Sequence, residues 1–337
     1  MQAKWFFIDS NAELQATAAR FLESWHTNAP FQIKSSGTTG LPQLHTFNQT
    51  QLTHSAQASN TAFELTTHSR ALLCLPLSSV GGLMLLARSI VGDFELLLQL
   101  PSARPLQNLR QKIDFVAMVP TQLQQSLEHD LPQLKGIAKI LVGGGQLSSE
   151  LIAACQSAQL EVWQSYGMTE TLSHVALRKV SPIEASFYSA MPGIHFSNKN
   201  DCLVIHYPAL QSEELVTKDI VELHNPTTFT WIGRSDNAIN SGGFKVIPEI
   251  LEAQLDKYIG AAFFIASLPD AKWGQIVAIA IEGNEKPVFP DFQSLGLKAA
   301  EVPRKYALVP HFGRTETQKI KRQEILQSLS NADWRPL

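Results

Sequence analysis

Short apolar runs alternate with amphipathic stretches through the first half of the chain. Trp5-Phe6-Phe7-Ile8 is followed by Leu14, Ala18, Phe21, Leu22 and Trp25, the spacing of one buried helix face. The run 71–77 precedes an apolar stretch from Leu83 to Ile90 that carries one charge, Arg88. Further apolar runs occupy 94–99, 113–119, 139–145 and 160–166, with helices expected after Pro120 and from Ser148. Strands rich in Val, Ile, Leu and Phe that alternate with helices predict a parallel sheet covered on both faces. Ligands of such sheets bind where strands end and loops lead into helices.

After about Lys179 the pattern changes. The runs 202–207, 219–223 and 229–233 are short and separated by turn residues, as in a small antiparallel region. From Asn237 an α/β pattern resumes: a helix after Pro248, apolar runs at 261–267 and 275–282, and a helix from about Lys319. We expect an α/β protein with a large N-terminal domain over 1–235, a parallel α/β sheet plus a small β region. A smaller α+β C-terminal domain over 236–337 follows, the boundary lying near Gly233–Asp236.

Composition narrows the class. With 337 residues, 44% hydrophobic and 17% charged, the chain can bury a substantial core, which excludes disorder. A net charge of −3 supplies no general reason to bind nucleic acid or an anionic membrane. Cys74, Cys155 and Cys202 are odd in number and far apart, which suggests neither a disulfide framework nor a zinc site and fits a reducing cytoplasm. The N-terminal apolar stretch is too short for a signal peptide. The uncharged stretch from Leu72 to Ala87 contains Pro76 and Gly81-Gly82; a spanning helix wants ~20 apolar residues, so we read strand, loop and buried helix.

Several segments could carry chemistry. Ser35-Ser36-Gly37-Thr38-Thr39-Gly40 follows a short strand, and its backbone N–H groups and hydroxyls could approach an anion. It lacks the Gly-Lys-Ser/Thr end of a Walker A loop, and read alone it is also a polar turn. Gln164-Ser165-Tyr166-Gly167-Met168-Thr169-Glu170-Thr171 ends another apolar run. There a carboxylate beside a hydroxyl could hold Mg²⁺ on a phosphate and Tyr166 could face a flat ring, or Thr169 and Glu170 could simply open a helix. Gly143-Gly144-Gly145 is either a bare platform for a planar ligand or a tight turn.

Together with the segment Gly233 to Lys245 and the late Gln318-Lys319-Ile320-Lys321-Arg322, these motifs resemble, in order and over most of the chain, the adenylate-forming superfamily of acyl-CoA synthetases, luciferases and adenylation domains. The segments 75–89 and 164–174 look most like its o-succinylbenzoate–CoA ligases of menaquinone biosynthesis. The resemblance implies a soluble enzyme with no membrane partner that joins a small-molecule acid to CoA using ATP and Mg²⁺, and a C-terminal domain that is mobile; a homo-oligomer is compatible with it. Ser35 to Gly40 would hold the triphosphate, Thr169 the α-phosphate, and Glu170 the metal. Tyr166 and Gly143, Gly144 and Gly145 would flank adenine, and Asp219 with Arg234 would take the ribose. Asp236 would be the hinge, and Ser241, Gly242 and Gly243 would border the CoA tunnel. Lys319 would be catalytic. Attacking carboxylate and α-phosphate are both anionic, and one preorganised donor between them is worth about 10²–10³ in rate. Arg88 is either a snorkelling surface residue or a guanidinium aimed at a second carboxylate of the acid.

The chain departs from the family pattern at Gln43 and Gln318, which stand where Lys and Gly are usual, and at Ser79, in the place of a histidine that shapes the acid pocket. It also has a short segment ahead of the phosphate loop. An aryl or medium-chain acyl-CoA ligase, a carrier-protein loading enzyme and a catalytically degenerate nucleotide-binding protein are the competing readings.

Overall fold

The computed structural model describes residues 3–34, 43–210, 212–315 and 320–337. The chain divides into two compact units: 1–196 with 205–215 and 225–228, and 197–204 with 216–224 and 229–337.

The first unit is built on strands β1 (Trp5–Phe7), β2 (Phe31–Lys34), β3 (Leu44–Phe47), β4 (Arg70–Leu73), β5 (Glu95–Leu98), β6 (Phe115–Met118), β7 (Lys139–Val142), β8 (Val162–Met168), β9 (Ser173–Ser181) and β10 (Tyr188–Ala190). Its helices are α1 (Ala12–Thr27), α2 (Gln49–Ala62), α3 (Val80–Gly92), α4 (Pro120–His129), α5 (Leu131–Lys135) and α6 (Ser149–Ser157). The sheet runs β1-β5-β4-β6-β7-β8 with every neighbouring pair parallel, as the apolar runs predict. Beyond β8 the direction reverses, and β9 and β10 add antiparallel strands. Leu72, Val116, Met118, Ile140, Val142 and Val162 form one core beneath α4 and α6.

Helix α3 is apolar nearly all round, and Met84 to Ile90 are buried, the pattern of a helix enclosed on several sides. Ser79 caps it, accepting from Gly82 N at 3.2 Å and donating to Pro76 O at 2.7 Å. The stretch from Leu72 to Ala87 is thus strand, loop and buried helix, and among the described residues no helix is long and apolar enough to cross a membrane.

Helix α2 has no apolar stripe to announce it. It begins with a reciprocal cap, Asn48 Oδ1 accepting from Gln51 N and Gln51 Oε1 accepting from Asn48 N, each at 2.9 Å, which satisfies two orphan helix donors. Its buried face is mostly polar, with Gln51, Ser55, Ser59 and Asn60 beside Leu52 and Ala56.

The later strands are β11 (His195–Lys199), β12 (Cys202–Tyr207), β13 (Ser212–Asn225), β14 (Thr228–Arg234), β15 (Ile239–Ser241), β16 (Phe244–Val246), β17 (Phe263–Asp270), β18 (Gly274–Glu282), β19 (Lys305–Val309) and β20 (Arg335–Pro336), with helices α7 (Pro248–Leu255) and α8 (Arg322–Ser328). Strands β14-β13-β12-β11 lie side by side in that order. A separate mixed sheet runs β16-β15-β18-β19-β20, with β17 along β18. Ile265, Val277, Ile279, Leu251 and Tyr306 fill the core on one of its faces.

Candidate active site

The loops after β7 and β8 leave the sheet at the ends where a parallel sheet binds ligands. Gly143–Gly145 follow β7. Gly144 has φ +83, a region in which a side chain is strained, and a Cβ on Gly143 would stand 2.6 Å from Ser165 Oγ. The glycines therefore let this loop lie flush against β8. Buried Gln164 holds it there, donating to Gly145 O at 3.3 Å and Gln146 Oε1 at 3.0 Å while accepting from Arg178 Nη2 at 2.8 Å. The Arg178 guanidinium lies over the Tyr188 ring at 5.5 Å, and Tyr188 meets Tyr166 edge-on at 5.9 Å. Burial pushes the Tyr188 hydroxyl up to about 12, so it stays protonated. Tyr166 is thus a ring held against Tyr188, two residues along β8 from the glutamine that fixes the glycine loop.

Between β8 and β9 the segment Thr169–Thr171 forms a single 3₁₀ turn and the chain reverses, so Thr169 and Glu170 do not open an α-helix. Leu172 and Ser173 follow with φ +55 and +107. Two successive non-glycine residues in this region cost roughly 1–3 kcal/mol each, strain that persists only where the surroundings enforce it. Here Thr171 Oγ1 accepts from Met168 N at 3.0 Å and lies 2.8 Å from Ser173 O, and Ser55 on α2 donates to Leu172 O at 3.3 Å. The Glu170 side chain is 34% exposed, and its Oε1 lies 3.8 Å from His45 Nε2. The described residues hold no cluster of three His, Cys, Asp or Glu. A single carboxylate fits Mg²⁺, a hard cation that takes most of its shell from nucleotide phosphates and water.

Arg88 is the largest side chain wholly buried in the fold, at 1% exposure. It does not snorkel. Its Nη2 donates to Ser173 Oγ at 3.0 Å and faces His174 Nδ1 at 3.3 Å, while Nε has no partner among the described residues. Among the described residues no carboxylate pairs with it, and burial alone pushes its pKa down to about 10. Burial, then the Arg88 charge, holds His174 well below the usual histidine range, so its imidazole is neutral. A buried, charged fork joined to the strained turn, with no counter-ion among the described residues, suits an anion.

In the second unit, buried Asp219 accepts from Trp231 Nε1 at 3.1 Å and lies 3.7 Å from Arg234. Arg234 makes a two-pronged bond to Asp236, 2.9 Å on each arm, and Lys218 lies 3.6 Å from the same carboxylate. Burial raises the Asp236 pKa, but these two cations outweigh it and the net shift is downward. Gly242 and Gly243 adopt φ +58 and +83, and a Cβ on Gly242 would stand 2.4 Å from the Trp273 ring; Ser241 beside them is buried. Ser35 to Gly40 and Lys319 lie outside the described residues. Flanking Lys319 in sequence, Arg314 pairs with Glu282, and Arg322 pairs with Glu252 at 2.7 Å.

Sequence reasoning gave no role to Gln164 and did not single out His45, Arg178, Ser173 or His174. The last two stand inside the segment whose resemblance is strongest, but their contact with Arg88 follows from an antiparallel strand that the apolar pattern does not foresee.

A family model described as AMP-binding enzyme matches residues 27–195. The 2-succinylbenzoate–CoA ligase of Listeria monocytogenes is 25% identical over 93% of this chain and 73% of its own length, and that of Bacillus subtilis is 25% identical over 86% and 67%. Among solved structures, an acyl-CoA synthetase (AMP-forming)/AMP-acid ligase II-like protein from Dyadobacter fermentans is 35% identical, covers 96% of each chain and superposes with a TM-score of 0.64. The B. subtilis o-succinylbenzoate–CoA synthetase, solved with ATP and magnesium, shares the fold at 22% identity and a TM-score of 0.78, over 88% of this chain and 69% of its own.

Proposed function

The chain belongs to the AMP-binding enzyme family, and within it we propose an ATP- and Mg²⁺-dependent acid–CoA ligase whose acid is o-succinylbenzoate. In the first step a carboxylate oxygen of the acid attacks the α-phosphorus of ATP and pyrophosphate leaves, giving an acyl adenylate. In the second, CoA thiolate attacks the acyl carbon and AMP leaves.

The observation that carries the choice of acid is Arg88. o-Succinylbenzoate offers one carboxylate to activate and a second to be recognised. A wholly buried guanidinium without a counter-ion among the described residues costs stability, and that cost is offset by a ligand that brings the missing charge. A simple fatty acid would leave it uncompensated.

The remaining roles follow the motifs. Tyr166 and Gly143–Gly145 flank adenine, Thr169 meets the α-phosphate, and Glu170 holds Mg²⁺, which would screen the phosphate charge. Ser35 to Gly40 bind the triphosphate, Asp219 with Arg234 the ribose, and Lys319 bridges the two anions as they approach. Asp236 serves as hinge, Ser241–Gly243 border the passage of the thiol, and Ser79 shapes the acid pocket by fixing the start of α3. Three free cysteines, two of them buried, fit a cytoplasmic setting.

The test is pyrophosphate release with ATP, Mg²⁺ and CoA across o-succinylbenzoate, benzoate, a medium-chain fatty acid and no acid. Release dependent on o-succinylbenzoate, with its CoA thioester appearing, is the expected result. Preference for another acid would keep the ligase and discard this substrate, and silence in a folded protein that binds ATP would favour a nucleotide-binding protein.

A further inference from the structure

Arg88 is anchored by groups that cannot neutralise it. Ser173 Oγ and His174 Nδ1 stand 3.0 and 3.3 Å from its Nη2. A guanidinium has donors only, so the ring nitrogen facing it must carry the lone pair, and the proton of the neutral imidazole sits on Nε2. His174 is held in turn by its burial on β9 and by Phe63, whose ring meets it edge-on at 6.2 Å. Other half-buried arginines of the fold are matched by acids: Arg104 by Asp130, Arg314 by Glu282, Arg322 by Glu252. Where the most buried arginine needs an anchor, the chain supplies a neutral ring.

We propose that His174 is a positioning and specificity-determining residue of the acid site, a neutral acceptor that fixes the Arg88 fork while leaving its charge for the second carboxylate of the substrate. The inference rests on the acid-ligase reading above. A carboxylate at this position would hold the fork equally well but neutralise it, and the site would lose its reason to prefer a dicarboxylate. An apolar residue would leave the charge in place and the fork unaimed.

Three variants separate these effects. His174→Leu removes the acceptor, His174→Asn keeps an oxygen close to the position of Nδ1, and His174→Glu supplies a counter-charge. KM and kcat for pyrophosphate release are measured with o-succinylbenzoate and benzoate. We expect His174→Leu to raise KM for o-succinylbenzoate about tenfold more than for benzoate, the order of one hydrogen bond to a charged group, with the effect in KM rather than kcat. His174→Asn restores most of that loss, and His174→Glu abolishes the preference between the two acids. Equal losses for both acids, or an Asn variant as impaired as the Leu variant, would overturn the proposal. Nitrogen-15 spectra of the histidines supply a readout independent of turnover. His174 should show the Nε2-protonated neutral tautomer, and its Nδ1 signal should move in Arg88→Met. A protonated Nδ1, or a signal indifferent to Arg88, also overturns it. If the wild type releases pyrophosphate with no acid at all, the ligase reading falls, while the spectra still decide whether His174 holds Arg88.

Discussion

Replacing Arg88 by methionine should leave the free protein about as stable and make it a worse enzyme for a dicarboxylate. The guanidinium is wholly buried and its pKa is pushed down to about 10 by burial alone. At about 1.4 kcal/mol for each tenfold in acidity, holding the charge inside costs roughly 3 kcal/mol. Methionine fills a similar length without that charge. Against this stand the bonds to Ser173 and His174, hydrogen bonds to a charged group worth about 1.5 kcal/mol each. The two sides nearly cancel, so Tm should stay within about 2–4 °C of the wild type, the shift that about 1 kcal/mol produces. The same change removes the charge-assisted bonds to a bound carboxylate, worth about 1.5–3 kcal/mol, so KM for o-succinylbenzoate should rise about 10- to 100-fold while benzoate is far less affected. Calorimetry of the free protein and pyrophosphate release with the two acids measure both halves. A Tm lower by more than that, together with equal losses for both acids, would refute the reasoning and make Arg88 a structural residue.

Three further outcomes are expected. Lys319→Ala should abolish adenylate formation yet leave thioester formation from supplied acyl adenylate largely intact; equal loss of both steps, followed by separate assays, would remove the catalytic assignment. Gln43→Lys should lower KM for ATP, because a cation returns beside the triphosphate; a charge pair at about 4 Å gains at most about 4 kcal/mol at an effective dielectric of 20, and an unchanged or higher KM counts against it. The Glu282 carboxyl is held down to about 2 by its hydrogen bond from Arg314, against the opposing effect of burial. Its folded pKa is depressed, so its contribution is complete above its unfolded value of 4.5 and is lost as pH falls through about 2. Glu282→Gln should therefore unfold more readily at neutral pH, with a deficit against the wild type that closes in acid; a deficit independent of pH in denaturant titrations contradicts the assignment.

The apolar pattern was enough to read the parallel sheet. Strands β4, β6 and β7 are buried on both faces and show as continuous runs, and α1 turns one apolar stripe, Leu14, Ala18 and Phe21, inward. The motifs were enough for the family, because backbone approach to phosphate and a carboxylate for magnesium demand particular residue types at strand ends. What the pattern could not carry was the burial of polar groups. Helix α2 buries Gln51, Ser55 and Asn60, whose partners are Leu210 O, Leu172 O and Arg88 O, all far along the chain. Thr169 and Glu170, read alone, fitted a helix start better than a site, and the pairing of β9 on β8 made them a turn. Arg88 was visible as a charge in an apolar helix, yet snorkelling and burial are the same letter in sequence. Its environment came from Ser173 and His174, 85 and 86 residues away. Hydrophobic periodicity encodes which side chains leave water; which partner waits for a polar one is decided only when distant segments meet.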